Sequence, residues 1–159
     1  MGSQAAAAAP AIGSVVIQVS KRLTEDFKKK AKKSFPNEAY AFLLGHTDEE
    51  KIIIDSLFYP TDVDSYCTPG AVDVQWSWYM EARREAKRNN LTIVGDIHSH
   101  PYKKHAKHID ASPSETDWDG LVGGHIMAIC GIKQLQNGHL RARTKFWGPM
   151  PQVKVKTTK

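Results

Sequence analysis

The stretch GDIHSHPYKKHAKHIDASPSETD, residues 95–117, carries four histidines and three aspartates. His98 and His100 are separated by one residue, and the segment before them, LTIVGDIH, reads as a strand. Side chains alternate along a strand with period two, so the two imidazoles share a face. Such a pair can grip one metal ion, and zinc is the default for a histidine set joined by a carboxylate. A catalytic zinc takes three protein ligands and leaves a position open. SPSETD offers the third: Ser114 is a natural helix N-cap, and Asp117 falls in the first turn, where the helix dipole favours negative charge. Hydrolysis also needs a carboxylate that moves protons without ligating, and a donor for the developing oxyanion. Glu38 and Ser114 are the candidates for those two roles.

Outward from this stretch, the chain reads as roughly β-α-β-β-α-β-loop-α-β-β. SVVIQV is a β-branched strand, and Ser20 is placed to cap the helix that follows, with Glu25 and Asp26 near its positive end. Leu23, Phe27, Ala31 and Phe35 give that helix one apolar stripe, and Pro36 stops it. YAFLLG and KIIIDSLFY are strands joined by a polar turn, expected to pair antiparallel. Residues 72–88 form a second helix with Val72, Trp76, Tyr79, Met80 and Arg83 near helical spacing, closed by Asn89-Asn90. Residues 114–121 form a short helix. HIMAICGI and RARTKFW are strands split by the turn signal Asn137-Gly138. The pattern predicts an α+β domain with a mixed or mostly antiparallel sheet. Residues 1–13 read as a disordered lead-in, 14–149 as the catalytic domain and 150–159 as a floppy basic tail.

At 159 residues the chain suits one domain. It contains no apolar run long enough to cross a bilayer, and its first residues lack the pattern of a secretory signal, so no membrane partner is expected. Two distant cysteines, Cys67 and Cys130, point to a reduced, cytoplasmic setting. The net charge of +5 sits largely in residues 21–33 and in VKVKTTK. No aromatic or glycine-rich RNA motif accompanies it, so nucleic acid is not the expected partner.

The order Glu-x-x-small-x-Leu-x-Gly, His-x-His-Pro, Ser-x-x-Asp resembles the signature of the JAMM (MPN+, JAB/Mov34-type) metalloproteases. Here it reads EAYAFLLG, HSHP and SETD. The resemblance implies a cytidine-deaminase-like α+β fold with a curved mixed central sheet flanked by helices. It implies one Zn2+ per chain on His98, His100 and Asp117, with Glu38 as general acid/base and Ser114 steadying the tetrahedral intermediate. It further implies an isopeptidase or peptidase acting after the C-terminus of a ubiquitin-like protein. The compact chain resembles stand-alone prokaryotic members that accompany activating and conjugating enzymes, including those of antiphage defence. Two departures stand out. Ala41 replaces the usual glycine, and thirteen residues, 101–113, separate His100 from Ser114 where the family commonly has seven. Asp110 therefore competes with Asp117 as ligand, but no serine lies three residues before it.

His105 and His108 in the longer loop, and Trp118 beside Asp117, are candidate substrate contacts. Ser114 fits a capping role as well as an oxyanion role. Asp96 fits a partner behind the ligands as well as a surface charge. The four tryptophans read as packing residues. Three further readings remain: a non-catalytic MPN scaffold subunit, a basic nucleic-acid-binding surface, and a hydrolase releasing a small amino acid from a carrier protein.

Overall fold

The computed structural model describes residues 14–48, 50–102, 109, 111–148 and 152–159. His105, His108 and Asp110 lie outside the described residues. Seven strands form one mixed sheet: β1 (Ser14–Ser20), β2 (Tyr40–Thr47), β3 (Lys51–Phe58), β4 (Thr92–Tyr102), β5 (Ile126–Gln134), β6 (Leu140–Trp147) and β7 (Gln152–Thr158), in the order β6-β5-β4-β2-β3-β1-β7. β2 runs antiparallel to both β3 and β4, β4 runs parallel to β5, and β5 antiparallel to β6. β1 lies parallel to β3 on one side and to β7 on the other. The α+β expectation of a mixed central sheet between helices holds.

Helix α1 (Lys21–Ser34) begins at Ser20, whose hydroxyl accepts the Leu23 N–H at 3.1 Å. Leu23, Phe27 and Ala31 bury the predicted stripe against Ile17, Val19, Ala41, Leu43, Ile97 and Cys130 on one face of the sheet. Glu25 and Asp26 fall beyond the first turn, which carries no acid, so they do not complement the dipole where that effect is felt.

Helix α2 (Trp76–Arg88) covers the other face. It starts four residues later than the sequence pattern suggests, because Val72 is held in an extended bridge with Cys67. The start shifts the buried face to Trp78, Ala82 and Ala86, which pack on Tyr40, Phe42 and Leu44. Trp76 is left 78% exposed, against the expectation that all four tryptophans pack. β2 is buried on both sides for this reason: Ala41 and Leu43 face α1, while Tyr40, Phe42 and Leu44 face α2.

The floppy tail is also corrected. Residues 152–158 pair with β1 along its whole length, from Ser14↔Gln152 to Ser20↔Thr158. The alternation in VKVKTT is a strand period, and the edge of β1 supplies its ladder.

Candidate metal centre

The site is built where β4, the residues leading into β2, and the short helix α3 (Glu115–Asp119) meet. β4 continues past His98 to Tyr102, so both histidines stand on the strand itself. Its parity sends Asp96, His98 and His100 to the pocket side, while Ile97 packs in the α1 core and Ser99 is fully buried. The Ser99 hydroxyl accepts the Ala39 N–H at 2.8 Å, and the Ser99 N–H donates to the Ala39 carbonyl at 3.0 Å. The Glu38 N–H donates to the Thr68 carbonyl at 2.9 Å. These bonds fix Glu38, itself buried, beside the histidines.

Ser114 and Asp117 form a reciprocal capping box at the start of α3. The Ser114 hydroxyl accepts the Asp117 N–H at 3.1 Å, and Asp117 Oδ2 accepts the Ser114 N–H at 2.8 Å. That box aims the carboxylate at the strand. His98 Nε2 lies 3.2 Å from Asp117 Oδ1, His100 Nε2 lies 3.1 Å from Asp117 Oδ2, and the two Nε2 atoms are 3.0 Å apart. Four donors at zinc distances of about 2.0 Å would be separated by about 3.3 Å along a tetrahedral edge. The Nε2–Nε2 separation is close to that spacing, and the Asp117 carboxylate straddles the pair with one oxygen toward each ring. Glu38, His98 and His100 also each offer a ligand atom within 4.8 Å of the others. The donor set therefore fits a divalent cation, with Asp117 in the tighter contact and Glu38 within reach.

Burial pushes the Glu38 carboxyl up to about 7, with His98 partly opposing and Asp117 adding to the rise. Burial also works to raise Asp117, but the hydrogen bonds and charge of His98 and the Ser114 donors outweigh it and hold the group below the ordinary carboxylate range. For His98, burial favours the neutral ring; the Asp117 hydrogen bond, with the charges of Asp117, Asp96 and Glu38, overrides it and raises the pKa. A proton on His98 and a bound cation are thus alternative ways to satisfy the same carboxylates.

An open pocket of about 640 Å³ runs from His98, His100 and Asp117 past Glu38 and Ser114 to the segment 69–72 and Tyr79. Asp96 lines it too and accepts a hydrogen bond from the Tyr40 hydroxyl at 3.0 Å. Of the two readings left open for Asp96, a lone surface charge is excluded; it belongs to the pocket wall. Trp118 is 46% exposed and is not among the pocket's lining residues; its ring meets Trp147 edge to face at 6.1 Å. Sequence reasoning missed Ser99 and Tyr40. Strand parity assigns Ser99 to the face opposite the histidines, but nothing in the sequence says that its hydroxyl would pin β2.

A family model describing prokaryotic homologs of the JAB domain matches residues 20–145. Among solved structures, a Desulfitobacterium hafniense protein determined in solution shares 18% identity, with 89% of this chain and 94% of that one covered and a TM-score of 0.62. A JAB1/MPN domain protein from Archaeoglobus fulgidus also shares 18% identity, with coverage of 90% and 97% and a TM-score of 0.52. A search of curated proteins finds no match. Both structural likenesses speak to the fold, and the family model spans the glutamate, the histidine pair and the serine–aspartate pair together. This chain belongs to the prokaryotic JAB-domain family.

Proposed function

We propose that the chain is a zinc-dependent hydrolase that cleaves an amide bond after the C-terminus of a ubiquitin-like protein, by deconjugation or by precursor processing. The observation that carries this reading is the convergence of His98 Nε2, His100 Nε2 and Asp117 within 3.2 Å of one another, with a buried Glu38 alongside. In this reading His98, His100 and Asp117 hold the ion. When bound, zinc supplies Lewis acidity and makes water reactive near neutral pH.

Glu38 handles the protons. A carboxyl pushed up to about 7 takes a proton from water readily and returns it to a leaving amine. Ser114 has its oxygen engaged by the Asp117 N–H, which leaves the hydroxyl hydrogen available to an oxyanion in the pocket. An extended, narrow substrate tail suits the open pocket bordered by segment 69–72. The substrate class rests on family membership rather than on any contact in the pocket. Activating and conjugating enzymes of the same pathway, a role in antiphage defence and a cytoplasmic setting belong to the same proposal. Among the described residues, no helix is long and apolar enough to cross a membrane.

Because Glu38 also lies within ligand reach of both histidines, its role needs a direct test. Metal content and cleavage of ubiquitin-like fusion proteins are measured for wild type, Glu38→Ala and Asp117→Ala. The reading expects Glu38→Ala to keep its zinc and lose turnover, and Asp117→Ala to lose zinc. Loss of zinc from Glu38→Ala would make the glutamate a ligand and leave the site without its base. Full zinc occupancy with no cleavage by the wild type would favour a scaffold subunit.

A further inference from the structure

The chain carries a net charge of +5, yet the pocket at the histidines has the opposite sign. Glu38, Asp96 and Asp117 line it, and among the described residues no lysine or arginine does. Two of these acids belong to the candidate metal centre: Asp117 faces both histidines, and Glu38 lies within ligand reach of them. Asp96 stands apart from that convergence. It precedes His98 by two residues on the same face of β4, which places it about 7 Å along the strand. It is half-buried, and the Tyr40 hydroxyl donates to its Oδ2 at 3.0 Å. Among the described residues no lysine or arginine pairs with it. A carboxylate can accept about four hydrogen bonds, so the Tyr40 bond leaves most of its capacity unused. Drawing such a group from water without a cation is costly, and a cation carried in by a ligand removes that cost. Val72, Val74 and Tyr79 line the same pocket, and an apolar wall of this kind suits the methylene stem of a long cationic side chain.

We infer that Asp96 is a specificity-determining residue: it receives a lysine or arginine side chain of the substrate tail, two residues before the residue whose carbonyl is attacked. An extended tail rises by the same amount per residue as a strand. With the attacked carbonyl at the histidines, the side chain two residues earlier therefore comes level with Asp96. The tail runs to this side because Val72, which ends the segment bordering the pocket, lines the pocket together with Asp96. The inference rests on the hydrolase reading for the direction of the tail. Its test reads binding and not turnover, so the two can fail separately.

The probe is a set of fluorescent peptides of roughly ten residues, identical except at the third residue from the free C-terminus, which is Arg, Gln or Glu. They represent the cleaved tail, so anisotropy with the zinc-loaded full chain reads binding alone. The Arg peptide should bind about tenfold more tightly than the Gln peptide or better, and the Glu peptide should bind most weakly. Asp96→Asn keeps an oxygen for the Tyr40 hydroxyl and should bring the Arg-to-Gln ratio to within about twofold. Moving the arginine one position either way should lose most of the gain, because alternate side chains of an extended segment point to opposite faces. Unchanged melting confirms that the variant folds, and the peptide series on wild type reads the same contact from the substrate side without any variant. Wild type that shows the Arg preference and cleaves no fusion protein would count against the hydrolase reading alone and still support the contact. Five results each overturn the inference: no binding of the Arg peptide, equal binding of the Arg and Gln peptides, a preference that survives Asp96→Asn, an equal loss of all three peptides in that variant, or equal binding with the arginine at a neighbouring position.

Discussion

Glu38 shows what burial does to one carboxyl. Its folded pKa of about 7 lies above the ordinary 4.5, so the folded state holds the proton more tightly than the unfolded chain does. For such a group the folded state loses stability as pH rises from 4.5 towards 7. In chelator-treated protein, Glu38→Gln should therefore raise stability at about pH 8 by on the order of 1–3 kcal/mol, after discounting for solvent near the pocket, and change little at about pH 4. Urea titrations at the two pH values read the difference; an equal effect at both would refute the burial argument. In the zinc-loaded protein the same substitution should retain the ion and lower turnover by about 10²–10⁴-fold.

Ser114 carries an observed cap and a proposed oxyanion role on one side chain. Glycine caps a helix nearly as well as serine, losing only a few tenths of a kcal/mol, but it has no hydroxyl to donate. Ser114→Gly should then melt close to wild type and cleave about 10²–10³-fold more slowly. A variant with full turnover would reduce Ser114 to its cap. At this scale the sequence was informative for residues whose spacing is itself the signal. Glu38, His98, His100, Ser114 and Asp117 were all legible, and the structure brings them to one pocket. Tyr40 was not, because its bond to Asp96 crosses 56 positions of sequence and depends on the β2–β4 register.

At the scale of elements, the site depends on the seam between β2 and β4. Ser99 is fully buried, and its hydroxyl is the acceptor for the Ala39 N–H. Ser99→Ala leaves that buried donor without its partner, which costs about 1–3 kcal/mol. Because Ala39 follows Glu38 directly, the same change should loosen Glu38, the proposed base, while His98 and His100 stay on β4. The expected signature is a lower denaturation midpoint and reduced kcat with zinc content unchanged; Ser99→Thr, which keeps the hydroxyl, should restore part of both. Loss of zinc in proportion to stability would instead mean that Ser99 supports the whole strand. Element types were readable from periodicity, but two boundaries were not. β4 runs on through the histidines to Tyr102 because β5 pairs with it as far as Lys133. α2 begins at Trp76 because the Cys67–Val72 bridge holds the preceding residues extended. Both limits are set by partners distant in sequence, which a local pattern does not contain.

The whole molecule explains why a basic tail becomes a strand. Lysines at alternate positions of VKVKTT suggest a solvated segment when read by charge, and a strand when read by period. β1 decides between them, since its edge away from β3 would otherwise stand open. Lys154, Val155, Lys156 and Thr157 remain exposed, so this strand is held more by ladder hydrogen bonds than by burial. Each such bond contributes about 0.5–1.5 kcal/mol net, against about 1–2 kcal/mol of backbone entropy per ordered residue. The balance is small, so amides of β7 should exchange well before those of β2, which is buried on both faces. Deleting residues 152–159 should lower stability by only about 1–3 kcal/mol. It should leave zinc binding intact, because β2, β3 and β1 stand between β7 and the strand that carries the histidines. Urea midpoints, amide exchange and metal content of the truncated chain read the three expectations together. Loss of zinc on truncation would show that closing the β1 edge sets the curvature the site needs, and that the metal centre is not confined to β2, β4 and α3.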